Sequence, residues 1–341
     1  MQQLKFEGMP QRLYPCTPSR LHAWLDCPRR YRFTYLDRPA PQKGPPWAHN
    51  SLGASVHNAL AAWWRLPRAG RTVSAAGDLL ERGWITEGYA DQAQAAECLT
   101  RARAMVEDYV ARLDPDAEPV GVERTVAMKT RLIAVSGRID RLDDRPIDPP
   151  AVPAEQPAAS AEQSEASAEQ PAAPAEQPSS PSDPRDRELV VVDYKTGRHP
   201  PSPDEARSSL ALALYAFAAG WVLRRPCRKV ELHHLPTGQV VSWEHTAESL
   251  ERQVRRAEDI ATECAAADEA FRAASKSGEG VSGPGGSHPD EVFPTNPGAW
   301  CGWCDYRAHC PDGQRAAAQR RPWDGLAEAA ESTTADDSQS Y

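Results

Sequence analysis

The sequence predicts an α/β chain, on three observations. Four consecutive β-favouring apolar residues, Leu189 to Val192, read as a strand buried on both faces. The first 113 residues place their apolar side chains at helical spacing. From Pro119 the pattern changes to alternation. At 341 residues and 40% apolar content the chain is long enough to bury a substantial core.

Residues 1–16 carry little signal. Thr17-Pro18-Ser19 predicts a helix start with Ser19 as N-cap, and Leu21, Trp24 and Leu25 supply an apolar stripe. Cys27-Pro28-Arg29-Arg30-Tyr31-Arg32-Phe33 follows. Its three arginines and two aromatics read equally well as phosphate and base contacts or as a solvated helix end with its rings in the core. Residues 51–66 predict a helix with Val56, Leu60, Trp63 and Trp64 on one face and His57 beside it. One or two more helices span 75–113, with Leu79, Leu80, Trp84, Met105, Val106, Tyr109 and Val110 as core.

Val120, Val122, Leu132, Ile133, Val135 and Ile139 predict an antiparallel pair ending in Gly137-Arg138-Ile139-Asp140-Arg141-Leu142-Asp143. After the strand ending in Asp193-Tyr194-Lys195-Thr196-Gly197, residues 204–224 predict a helix with Leu210, Leu214, Phe217 and Trp221 facing the sheet. Residues 230–235 and 240–243 form a hairpin around Thr237-Gly238, and 248–275 a polar helix. Between the two carboxylate-bearing strands, residues 146–187 repeat Ala-Glu-Gln at Glu155, Glu162, Glu169 and Glu176 without an apolar seam, which predicts a disordered acidic insert. The tail beyond about 324 is expected to be disordered too.

The formal charge of −9 divides unevenly. Residues 148–188 carry −7 and residues 324–341 carry −5, which leaves about +3 on the remainder, so a basic groove is not excluded. There is no basic-then-apolar leader and no window approaching eighteen apolar residues, so neither export nor membrane spanning is expected, and a cytoplasmic location is. No G-x-x-x-x-G-K-[ST] loop is present, so any helicase motor is expected on a separate chain.

Two constellations carry chemistry. Asp193 and Lys195, two apart on a strand, point to one side, where a carboxylate can hold a divalent cation and an ammonium can orient water. Asp140 follows an apolar residue late in its strand, as Asp193 does, and two adjacent strands ending in carboxylates would make a metal site. Second, Cys301, Cys304 and Cys310 form C-x2-C-x5-C. They need one more ligand, for which Cys27 is the leading candidate and His309 the competitor. An iron–sulfur cluster, zinc and unligated thiols all remain open at this point. Cys16, Cys98, Cys227 and Cys264 lack partner spacing and read as packing residues.

Together these motifs resemble the RecB-like branch of the PD-(D/E)XK nuclease superfamily, including its AddB-type and CRISPR-associated iron–sulfur members. Gly53 to His57 resembles the family's G-x-x-x-H helix, Gly137 to Asp140 its G-x-x-D strand, and Asp193 to Gly197 its D-x-K-T-G strand. Cys27-Pro28 with Cys301, Cys304 and Cys310 resembles its split cluster motif. Tyr215 matches the tyrosine of the family's Q-x-x-x-Y helix, but Ala211 stands where glutamine is expected.

The resemblance implies a restriction-endonuclease-like core, with a central mixed sheet flanked by helices, a helical N-terminal half and a C-terminal iron–sulfur cysteine segment. The expected parts are 1–118, carrying Cys27 and His57; a nuclease core of 119–145 with 188–275; the 146–187 insert; a cysteine segment at 276–323; and an acidic tail, 324–341. It implies Mg²⁺ or Mn²⁺ on His57, Asp140, Asp193 and the Tyr194 carbonyl, with Lys195 positioning water, and a [4Fe-4S] cluster on the four cysteines. Tyr215, Arg29, Arg30 and Arg32 are expected DNA contacts. The implied activity is exonucleolytic DNA cleavage, on single strands or duplex ends, in repair or recombination. A DNA-binding scaffold subunit of a repair or defence complex is the other class of function.

Overall fold

The computed structural model describes residues 13–147, 187–276 and 289–326. Most of the 146–187 insert, most of the tail beyond 324 and most of the 277–290 loop lie outside the described residues.

Five helices make the N-terminal half: α1 (Pro18–Asp26), α2 (Pro28–Tyr35), α3 (Ala48–Trp64), α4 (Val73–Arg82) and α5 (Gln92–Val110), preceded by a short strand β1 (Tyr14–Cys16). Then come β2 (Gly121–Lys129), β3 (Ile133–Pro146), β4 (Arg187–Lys195), α6 (Pro203–Ser208), α7 (Leu210–Leu223), β5 (Cys227–His234), β6 (Gln239–Glu244) and α8 (Ala247–Lys276). Two short helices, α9 (Pro289–Val292) and α10 (Pro311–Ala316), frame the C-terminal cysteines.

The six strands form one mixed sheet in the order β1-β3-β4-β5-β6, with β2 on the other edge of β3. The β1–β3 and β4–β5 pairs are parallel and the rest antiparallel. The expected α/β architecture with a central mixed sheet is therefore the observed one.

β4 is the spine. Leu189 and Val191 enter a core shared with α7 and α8, while Val190, Val192 and Tyr194 enter a second core built on α3, α4 and α5. All four residues Leu189–Val192 are fully buried, which explains the unbroken apolar run: both faces are covered by helices.

The edge of β3 that faces β4 is only partly used. β1 pairs with Ile133–Val135 and β4 with Arg141–Pro146, so residues 136–140 lie in a gap between the two partners. Ile139 and Leu142, three residues apart, both enter the larger core, so strict alternation breaks at Asp140–Arg141. Opposite this point on β2, Glu123 takes a left-handed backbone conformation with φ 51°.

Several local expectations need correction. Thr17, not Ser19, caps α1, because its side chain accepts from the Arg20 N–H at 3.1 Å. The predicted 204–224 helix breaks at Ser209, which caps α7. Trp221 does not face the sheet but is 66% exposed, and Leu25 and Leu132 are exposed as well.

Candidate metal centre and active site

The gap along β3 is where the chemistry gathers. Because β3 and β4 part beyond Arg141 and Val192, the Tyr194 N–H donates to Asp140 Oδ2 at 3.0 Å. Asp140, mid-way along β3 where its pairing with β4 stops, thereby ties β3 to the end of β4 with its side chain. From α3, the His57 Nδ1 lies 3.4 Å from the same Asp140 oxygen, and its Nε2–H donates to the Tyr194 carbonyl at 3.2 Å. Gly53, one turn earlier on α3, faces Thr196, and a Cβ there would just reach van der Waals contact with its Oγ1 at 3.4 Å.

Among the described residues, His57, Glu123 and Asp140 form a group whose ligand atoms all lie within 4.8 Å of one another. Glu123 was not anticipated from the sequence. It is also paired with Arg138 at 2.6 Å. Asp193 stands beside this trio rather than within it, with its Oδ2 2.8 Å from the Lys195 Nζ.

The electrostatics call for a cation. Burial pushes the Asp193 carboxyl above its usual range; Lys195 pulls it down and the charge of Asp140 adds to the rise. Burial likewise raises Glu123, with Arg138 opposing and Asp140 reinforcing. For His57 burial acts downward, but the hydrogen bond to Asp140 and the charges of Asp140, Asp193 and Glu123 outweigh it, so the ring titrates above its ordinary value. Asp193 Oδ2 is buried and receives no well-aligned hydrogen bond. Two clustered carboxylates and an imidazole, with the Asp193 carboxylate and the Tyr194 carbonyl beside them, are the donor set of a hard divalent cation, so the residues fit Mg²⁺ or Mn²⁺.

Tyr215 reaches the site from α7. Its ring lies over Gly137, and it feels the charges of Asp193 and Asp140. Ala211, four residues earlier, brings no polar group.

The cysteines assemble elsewhere. Cys27, Cys301, Cys304 and Cys310 line one cavity of about 560 Å³ between the α1–α2 junction and the C-terminal segment. The Gly298 N–H donates to Cys301 Sγ at 3.4 Å and the Gly313 N–H to Cys310 Sγ at 3.3 Å. Among the described residues no three of these sulfurs lie within 4.8 Å of one another. His309 turns away and its Nε2–H donates to the Gln42 carbonyl at 2.9 Å.

The arginines of the Cys27 segment mostly serve the same junction. Arg29 and Arg32 both pair with Asp290 at 2.9 Å, and each is 13% exposed. Arg30 pairs with Asp26. Tyr31 and Phe33 are buried, so this segment reads as a helix with its rings in the core. Cys16, Cys98, Cys227 and Cys264 are buried packing residues, as expected.

No helix of the described residues is long and apolar enough to cross a membrane. No curated protein matches the sequence. The PD-(D/E)XK nuclease superfamily matches it over residues 15–149 and 182–311, two segments that contain every residue placed at the site and all four clustered cysteines. The chain therefore belongs to the PD-(D/E)XK nuclease superfamily, whose members hydrolyse phosphodiester bonds with divalent metal ions.

Proposed function

We propose that this protein is a Mg²⁺- or Mn²⁺-dependent DNA exonuclease of the RecB-like branch, acting on single strands or duplex ends in repair or recombination. The observation that carries the reading is the junction of β3, β4 and α3, where His57, Glu123 and Asp140 converge beside the Asp193–Lys195 pair. His57, Asp140, Asp193 and the Tyr194 carbonyl hold the cation, and Glu123 joins them. A bound divalent ion supplies a Lewis acid for the scissile phosphate and lowers the pKa of a coordinated water.

The protein's own groups do the rest. Lys195 is half exposed, which leaves its ammonium free to orient a water at the strand end while Asp193 fixes it at 2.8 Å. Asp140 locks the Tyr194 peptide, so the ligand oxygens are set before substrate arrives. Tyr215 borders the path of the phosphate.

Four cysteines in one cavity, two of them receiving backbone N–H bonds, support a [4Fe-4S] cluster on Cys27, Cys301, Cys304 and Cys310. Such a cluster would join the N-terminal helices to the C-terminal segment. The proposed parts are a helical portion to 118, a core of 119–145 and 188–275 interrupted by the acidic insert, the 276–323 cysteine segment and the tail. DNA is the proposed partner, with any helicase on another chain and the cytoplasm as the compartment.

Anaerobic purification with iron and sulfide analysis, followed by single-stranded DNA with and without Mn²⁺, tests both halves. A brown protein with about four irons that degrades DNA only with metal supports the reading. Cys27→Ser should lose the colour. A brown but inactive protein would favour the scaffold alternative, for which Ala211 in place of glutamine is the one supporting feature.

A further inference from the structure

The side chain of Tyr194 does something its backbone does not. It is 4% exposed and lies in the second core, where its hydroxyl accepts from Arg141 Nη1 at 3.3 Å. Arg141 is itself buried, with its guanidinium 5.3 Å from the Trp64 ring centre and 5.8 Å from that of Tyr194. Asp143 neutralises it, with Oδ1 2.9 Å from Nε and Oδ2 3.0 Å from Nη2.

The clamp continues in a closed circuit. Arg141 Nη1 also donates to the Tyr109 hydroxyl at 3.2 Å. That hydroxyl proton then goes to His233 Nδ1 at 2.8 Å, which leaves the His233 proton on Nε2, donated to Glu231 at 2.9 Å. Glu231 pairs with Arg145 at 2.8 Å, and Arg145 returns to Asp143 at 2.7 Å. Two cations balance two anions. Buried ion pairs of this kind add little stability over apolar packing, but they fix geometry.

What they fix is Tyr194, the residue whose N–H is held by Asp140 and whose carbonyl meets His57. Arg141 is bonded in sequence to Asp140 and in space to Tyr194, so one side chain controls the separation of two ligand groups. Resting on the metal-site reading above, we infer that Arg141 is a positioning residue for the metal centre. It clamps the Tyr194 ring so that the Tyr194 peptide and Asp140 hold their spacing for a divalent cation.

The test is Mn²⁺ binding by the purified full-length chain without DNA, followed by the electron paramagnetic resonance of free Mn²⁺. Arg141→Met should weaken binding by about 10- to 100-fold, the range for removing a group that orients a metal ligand. Tyr194→Phe, which keeps the ring and the backbone carbonyl and loses only the hydroxyl that accepts from Arg141, should weaken it several-fold. Arg103→Met, which removes ion pairs to Asp78, Glu81 and Glu107 outside the circuit, should lower thermal stability with Mn²⁺ affinity within twofold of wild type. Should Arg141→Met fail to fold by circular dichroism, Tyr194→Phe decides. Unchanged affinity in Arg141→Met and Tyr194→Phe, or equal weakening in Arg103→Met, overturns the inference alone. A wild-type chain that binds no Mn²⁺ overturns the metal-site reading and this inference with it.

Discussion

Gly137→Ala is a one-carbon change that should disturb both packing and chemistry. A Cβ at position 137 would lie 2.3 Å from Tyr215 Cε1 and 3.1 and 3.2 Å from two further ring atoms. The ring must retreat by about 1 Å to reach van der Waals contact, yet its neighbours Leu214 and Ala216 are fully buried and hold α7 in place. Overpacking of this kind costs about 1–3 kcal/mol. Losing glycine's freedom in the unfolded chain returns about 0.4–1 kcal/mol, because Gly137 is not among the positive-φ glycines. The clash wins, and we expect a net loss of about 1–2 kcal/mol. Urea melts of Gly137→Ala, Tyr215→Ala and the double variant close a cycle in which the penalty at 137 disappears once the ring is gone. A Gly137→Ala protein as stable as wild type, or a penalty that survives Tyr215→Ala, would refute the reasoning.

The other predictions concern charge. Glu123→Gln keeps the shape but removes one anionic oxygen, so Mn²⁺ affinity measured by calorimetry should fall by about tenfold or more; an unchanged affinity would take Glu123 out of the site. Glu231 lies among partners: burial acts to raise its carboxyl, but His233 and Arg145 hold it down to about 2 from 4.5. A depressed carboxyl stabilises the fold above its unfolded pKa, so Glu231→Gln should cost about 2–3 kcal/mol at pH 7. That gap should narrow as the pH falls from about 4.5 toward 2, and melts showing a constant gap across this range would contradict the assignment.

Part of the site was legible because it follows a strand end. The Leu189–Val192 run announces a strand covered on both faces, and the residues that follow it must emerge at an edge. Asp140 was read from its place after an apolar residue late in its strand, although β3 runs on to Pro146, and His57 from the resemblance of its helix to a G-x-x-x-H motif. Glu123 was hidden: its strand register against Asp140 and its left-handed backbone are set by the pairing of β2 with β3, which a local pattern does not encode. The ion pairs of the arginines in the Cys27 segment were hidden for a related reason. Their partner Asp290 is more than 250 residues away, so a run that looks like a phosphate-binding surface is in part an internal ion-pair junction. Trp221 was misplaced because its size suggests burial, whereas it is exposed together with Val222 in the last turn of α7 while Leu223 of the same turn packs on the core.

The most direct measurement is cleavage of end-labelled single-stranded DNA by Lys195→Ala with Mn²⁺, alongside DNA binding in Ca²⁺. Lys195 is half exposed, so its truncation opens no cavity in the core and the variant should fold normally. Loss of the group that orients the nucleophile should slow turnover by about 10³-fold, equivalent to about 4 kcal/mol of barrier, with DNA affinity unchanged. Turnover within tenfold of wild type would contradict the assignment of this strand end as the catalytic centre.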